Sequence, residues 1–317
     1  MSNKAKLTIL LVLSLVFTTL FIFYNLNFNS NLGYILPRRA SKILAIVITG
    51  AAIAFATVVF QTITNNRILT PSIIGFDSLY LLIQTFLIFV FGSTSLLVIN
   101  KEVNFLLSSG IMIVFAGLFY KLLFSQGRNI YFLLLVGIVL GTLFSSISTF
   151  MQVLIDPNEF LIVQDRMFAS FNNVNTDILT VAIILFILVT IYFWKYLKYL
   201  DVLSLGRDHA VNLGVAYDHV VKRLLIVVAI LVSISTALVG PILFLGLLVA
   251  NVAYEFIKTH KHSYIITGAV LISVLALVSG QFLVERVFLF SVPISVIINF
   301  IGGVYFIYLL LRGNKSW

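Results

Sequence analysis

The chain has 317 residues, of which 61% are hydrophobic and only 10% charged, with no cysteine and a net charge of +9. A water-soluble domain carries about 25% charged residues, so a soluble enzyme is excluded, and so are a disulfide framework and a thiolate metal site. The positive charge sits in short segments between apolar runs, a membrane-topology signal and not the basic surface of a nucleic-acid-binding domain.

In chain order the apolar runs predict ten membrane spans: Leu7–Phe23, Ala40–Ile63, Ser72–Ile99, Asn104–Phe124, Ile130–Val153, Ile178–Tyr199, Lys222–Val239, Leu243–Ile257, Ser263–Phe282 and Pro293–Leu311. The first follows Lys4 and Lys6 but leads to no small-residue cleavage site, so it is read as a retained span. The third is long for a bilayer and holds Gly92, which predicts a tilt, a break or a protruding end. Asp156–Asp177 has room for a short interfacial helix, and the eighth span is short enough to begin inside the protein. With the N-terminus inside, fourteen of the 20 Lys and Arg face the cytoplasm and six face outward. Both termini are then cytoplasmic. Ten spans divide five plus five, and an odd half-number makes the second half run opposite to the first, as in an inverted repeat.

Three stretches carry more than apolar character. In the second span, Gly50, Ala51, Ala52, Ala54 and Ala56 form a small-residue face. Gln61, Asn65, Asn66, Arg67 and Pro71 follow at the cytoplasmic turn. Between the sixth and seventh spans, residues 201–223 read DVLSLGRDHAVNLGVAYDHVVKR, a polar island in which Gly206 and Gly214 bracket a short amphipathic segment. In the last third, Gly240-Pro241-Ile242 and Phe244-Leu245-Gly246-Leu247 precede Arg286, Pro293 and Gly302-Gly303.

Taken in order, these stretches resemble the FecCD-type permeases, membrane subunits of ATP-binding-cassette importers for ferric siderophores, haem and cobalamin. Pro37-Arg38, Gly50-Ala51-Ala52-Ile53-Ala54, Gln61, Asn66, Leu69, Pro71 and Ile74-Gly75 follow the family pattern. Leu205-Gly206, Ala210 and Leu213-Gly214 reproduce its Leu-Gly-x-x-x-Ala-x-x-Leu-Gly segment. Ile35 replaces a family Arg, Arg67 a Pro, and Asn251 stands where the family has His.

The resemblance implies an all-α polytopic permease of the type II importer arrangement, a single domain over residues 1–317. Its function would be to move a ferric siderophore across the bacterial cytoplasmic membrane. It implies three further proteins: an ABC ATPase dimer, a second permease (a copy or a paralogue) and an extracytoplasmic siderophore-binding protein. ATP and magnesium would sit on the ATPase and no cofactor on this chain, which has no Gly-x4-Gly-Lys-Ser/Thr loop. By resemblance, Leu205, Gly206, Ala210, Leu213 and Gly214 form the segment that plugs into the ATPase, with Ala210 at the packed contact. Arg38 and Arg286 receive acidic residues of the binding protein, and Arg39 stands in for the Arg missing at position 35. The family's path lies around the second, third, fifth and eighth spans, where Thr49, Thr57, Gln61, Ser145, Ser148 and Asn251 supply hydroxyls and amides that wet a path without trapping an anion.

Two other classes fit less well. An ion-driven secondary transporter places ionisable groups deep in its spans, and Asp77 is the acid that stands out within a span here, with Glu255 near the end of the eighth. Asp77 reads more simply as reaching the interface or pairing with Arg67. An intramembrane protease needs paired acids or a Ser–His pair, and no span holds a His. His260 and His262 read as part of an interfacial basic loop.

Overall fold

The computed structural model describes residues 2–25, 31–124, 130–172 and 174–313. Its α-helices, in order, are α1 (Asn3–Phe23), α2 (Leu32–Thr64), α3 (Phe76–Phe91), α4 (Leu96–Ile99), α5 (Lys101–Phe124), α6 (Ile130–Leu154), α7 (Pro157–Arg166), α8 (Thr176–Trp194), α9 (Leu197–Leu203), α10 (Arg207–Asn212), α11 (Tyr217–Val239), α12 (Leu245–Ile257), α13 (His262–Arg286) and α14 (Ile294–Gly313), with a 3-10 turn at Pro71–Ile74. No strand occurs among the described residues. Among the described residues eight helices are long and apolar enough to cross a bilayer, and the shorter apolar α3 and α12 complete ten. Arg128 and Lys315, counted in the charge bias, lie outside the described residues.

The spans that looked irregular are the interrupted ones. The third divides into a 3-10 turn, α3 and α4, with the helix ending at Gly92, where φ is +78°. At its start, Gly75 lies so close to α6 that a Cβ would sit 2.8 Å from Gly141 Cα, a contact only paired glycines permit. The eighth span is helical over only 13 residues. The second span begins earlier than expected: α2 starts at Leu32 and runs through Pro37, not from Ala40. Proline so near a helix N-terminus removes few hydrogen bonds. The sixth span ends at Trp194, and α9 restarts two residues after the turn at Lys195.

In lipid, apolar burial gives no net drive for helix association, so close packing must supply it. The small-residue face of α2 does so. Ala52, Ala54 and Ala56 are fully buried, and a Cβ on Gly50 would meet Ser273 Oγ of α13 at 2.7 Å. The two most enclosed long helices, α2 and α11, pack on each other at the centre. Around them the pairings repeat with an offset of five spans. The second span packs on the ninth and the seventh on the fourth, while the third packs on the fifth and the eighth on the tenth. This is the five-plus-five arrangement. Lipid-type side chains such as Leu15, Trp194 and Phe300 cover the outside of α1, α8 and α14.

Lys6 Nζ donates to the carbonyls of Phe256 (2.7 Å) and Ile257 (3.2 Å), bringing the start of α1 to the end of α12. The end of α12 leads into α13, which touches α9. The start of α1, the Asn65–Arg67 turn and α9–α10 therefore share one face of the bundle, called here the α10 face. Arg38, Tyr24 and Glu285 mark the far face.

Candidate functional site

The α10 face is organised by a helix of six residues, Arg207–Asn212. A helix so short does not stand alone, so its ends must be held. Gly206 precedes it at φ +95°, ψ 167°, backbone that only glycine adopts without strain. Gly214 follows at φ +80°, donating its N–H to the Val211 carbonyl (2.9 Å), while Val215 N–H reaches the Ala210 carbonyl (3.0 Å). These two bonds make a Schellman cap. No atom lies within 4 Å of a Cβ built on either glycine, so the dihedrals, not space, call for glycine.

The cap also fixes which side faces out. Ala210 is fully buried and joins Leu200, Leu203 and Val220 in the core. Leu205, Val211 and Leu213 stand 56%, 51% and 64% exposed. Ala210 is thus turned towards the body of its own chain, which corrects its placement at a partner contact. The outward apolar surface belongs to Leu205, Val211 and Leu213, beside exposed Arg207, Asp208 and His209. Arg207 lies 5.6 Å above the Tyr217 ring and 3.5 Å from Asp218, an exposed pair worth little energetically.

Next to α9, His262 is not the solvated member of a basic loop. It is 4% exposed. Its backbone N–H and its Nδ1 both meet Asp201 Oδ1, at 2.8 and 2.7 Å, and its Nε2 lies 2.9 Å from Thr62 Oγ1 on α2. His260 lines a neighbouring cleft of about 490 Å³ that also includes Gln61, Asn65, Arg67, Asn251 and Tyr254.

The far face gathers Arg38, Arg39 and Arg286 around one cleft of about 620 Å³, with Tyr34, Asn172, Glu285 and Phe290. They are not equivalent. Arg38 is exposed. Arg39 donates to the carbonyls of Ile22 (2.5 Å) and Tyr24 (3.1 Å), closing the end of α1. The guanidinium is thus engaged within the chain while it also borders the cleft. Arg286 lies 5.5 Å above the Tyr24 ring. Beneath them Lys42 and Glu285 pair at 2.5 Å with side chains 13% and 12% exposed, braced by Asn172 and Gln281. Nothing in their 243-residue separation signals the pair.

The six expected path residues do not share a surface. Thr49 is fully buried, and its Oγ1 has no hydrogen-bond partner among the described residues. Thr57 presses on α12, where a Cβ on Gly246 would lie 2.1 Å from its Oγ1. Gln61 and Asn251 both donate to the Arg67 carbonyl (2.7 and 2.9 Å) and so clasp the turn between the second and third spans. Ser148 hydrogen-bonds Thr85 at 2.9 Å between α6 and α3. Of the six, Ser145 alone is exposed, in a polar stripe with Thr142, Ser146 and Thr149 along α6. Among the described residues no three His, Asp or Glu side chains gather in a way that would hold a metal ion.

The family model described as the FecCD transport family matches residues 6–312. The chain belongs to the FecCD transport family. It is 64% identical over 318 residues to the petrobactin import system permease protein YclO of Bacillus subtilis (strain 168), covering all of both chains. It is 41% identical over 279 residues to the petrobactin import system permease protein FatC of Bacillus anthracis, covering 88% of this chain and 79% of that one. A solved inward-facing structure of a metal-chelate type ABC transporter superposes with a TM-score of 0.83 at 23% identity, over 98% of this chain and 100% of that one, and so shares its fold.

Asp77 is the acid that lies within the third span. It does not reach the interface or pair with Arg67. It is 7% exposed in the first turn of α3, and Thr236 Oγ1 lies 3.5 Å from its Oδ1. It borders a cavity of about 20 Å³ shared with Thr57, Ser72, Ser235 and Gly246. The start of α12 lines the same cavity through Gly246.

Proposed function

We propose that this chain is a membrane-spanning permease subunit through which an ABC importer admits a ferric siderophore of the petrobactin type into the cytoplasm. The end-to-end 64% identity to a petrobactin import permease supports the cargo. The observation that carries the mechanism is α10: a short helix clamped by two glycine turns, with its small residue inward and Leu205, Val211 and Leu213 outward. Exposed leucines on a water-facing loop are a contact surface awaiting a partner. In this reading the α10 face is cytoplasmic and seats in an ATPase subunit, which holds the ATP and magnesium. The far-face cleft receives the extracytoplasmic binding protein through Arg38 and Arg286. The α6 stripe around Ser145 lines the path against a second permease. This chain makes and breaks no covalent bond. It offers alternately open surfaces whose switching is driven by ATP hydrolysis elsewhere.

The test is Leu213→Asp, alone and with Val211→Asp. Both side chains are exposed, so a carboxylate there is hydrated and the chain's own fold is preserved. In a seated interface the same charge is desolvated without a partner. The expected result is normal membrane abundance, lost co-purification of the ATPase and lost uptake. Unchanged co-purification and uptake in the double variant would rule out α10 as the contact.

A further inference from the structure

α10 lies at the edge of the molecule, and the hydroxyl- and amide-bearing core helix α2 lies at its centre. Movement at one reaches the other only through groups that touch both. α9 is the bridge: it runs into α10 through Ser204–Gly206 and packs on α2 and α13. At that junction stands His262, the first residue of α13.

The hydrogen-bond inventory there is unusually tight. A carboxylate only accepts, so His262 Nδ1–H donates to Asp201 Oδ1 (2.7 Å), which also accepts the His262 backbone N–H (2.8 Å). The other ring nitrogen, Nε2, faces Thr62 Oγ1 at 2.9 Å. Thr62 Oγ1 is also placed to donate to the Val58 carbonyl at 2.8 Å. One hydroxyl proton therefore has more than one claimant, and the Tyr254 phenol is a third group paired with the Thr62 side chain. When His262 is neutral, with its proton on Nδ1, Nε2 needs the Thr62 proton. When Thr62 gives that proton to Val58, Nε2 must itself carry one. His262 and Thr62 lie at 4% and 5% exposure, where a lost hydrogen bond is not replaced by water, whereas the Asp201 side chain is 48% exposed and reaches solvent.

We propose that Asp201–His262–Thr62 is the mechanical link by which displacement of the α9–α10 segment is passed to α2. His262 is a positioning residue, not a cargo or nucleotide ligand. Asp201 holds it from the coupling segment with two bonds to one oxygen, a rigid fork that moves the start of α13 with α9. Thr62 receives the ring three residues before the left-handed cap of α2 at Asn65, one residue beyond Gln61, which clasps the Arg67 turn. Pulling on Asp201 therefore acts on the end of α2 and on the turn joining the second and third spans. The link rests on the reading of α10 as the ATPase contact.

The experiment uses the complete transporter (this chain, its second permease, ATPase and binding protein) in proteoliposomes, and reads siderophore uptake and ATP hydrolysis together. His262→Ala and Asp201→Ala are expected to keep the ATPase bound and hydrolysing while siderophore moved per ATP falls by about fivefold or more, the scale of a typical coupling free energy. Asp201→Asn keeps the accepting Oδ1 and should restore the ratio, whereas loss of a merely stabilising contact would lower uptake and hydrolysis in proportion. An unchanged ratio in His262→Ala, a proportional fall in both activities, or failure of Asp201→Asn to rescue would each overturn the proposal. Loss of ATPase binding in His262→Ala would overturn it too, because His262 would then build the dock. Leu213→Asp in the same preparations reports separately on the ATPase contact itself. If it binds and transports normally, the contact reading fails whatever His262 does.

Discussion

Substituting Gly214 isolates the stiffness of α10 from its contacts. At φ +80° the residue is left-handed, and no atom lies within 4 Å of an added Cβ. The whole cost of Gly214→Ala is therefore backbone strain, about 1–2 kcal/mol. Asparagine tolerates this conformation and should cost less, while a β-branched valine should cost more. A penalty of about 1–2 kcal/mol shifts a local equilibrium by roughly 5–30-fold, enough to leave a six-residue helix mostly unformed. Gly206 is the control. Its φ +95°, ψ 167° lies outside the region asparagine accepts, so Gly206→Asn should be as damaging as Gly206→Ala. The assay is ATPase retained per permease on detergent purification, beside siderophore uptake at equal membrane abundance. The expected order at position 214 is Gly, Asn, Ala, Val, with no asparagine advantage at position 206. Equal retention by Gly214→Val and wild type, or asparagine rescue at 206, would refute the claim that the two turns hold α10 in shape.

Gly246→Ala should destabilise the chain by about 1–3 kcal/mol through overpacking, because its Cβ falls 2.1 Å from Thr57 Oγ1. Adding Thr57→Ala should recover much of the loss in a thermal-melting assay, and no recovery would place the strain elsewhere. Arg38→Glu with Arg286→Glu should slow association of the binding protein and flatten its salt dependence, since rim charges act mainly on encounter. Unchanged association kinetics would remove both from the docking surface. Ser145→Trp on the exposed stripe of α6 should block uptake while leaving binder docking and ATP hydrolysis in place, and a joint fall of all three would make it a packing residue.

Much of the architecture was legible because bilayer thickness and backbone chemistry act on composition directly. Twenty-residue apolar runs became helices. Gly92 became a break, and the short eighth span became α12. The bracket of Gly206 and Gly214 was visible because positive φ selects glycine. Side-chain direction was not legible. Whether Ala210 points in or out depends on the rotation that the Schellman cap imposes, and no residue type announces that. Thr49 and Thr57 are hydroxyls that would suit a path, yet their place on α2 turns them into the bundle. Arg39 read as a docking residue and His262 as part of a basic loop, because a sequence records the side of the membrane and not the partner. Their partners, the end of α1 for one and Asp201 and Thr62 for the other, are contacts set only by the packed bundle. The second span was placed from Ala40 by its apolar run, but α2 begins at Leu32, five residues before Pro37.

The central claim is that this chain carries a petrobactin-type ferric siderophore across a membrane under ATP drive supplied by a partner. The most direct measurement is uptake by proteoliposomes holding this chain, its second permease and the ATPase, with the binding protein and iron-loaded petrobactin on the outside. The account predicts accumulation that requires ATP on the ATPase side, persists when ion gradients are collapsed and stops when Leu213 is replaced by Asp. Accumulation that ignores ATP and follows a proton or sodium gradient would contradict it.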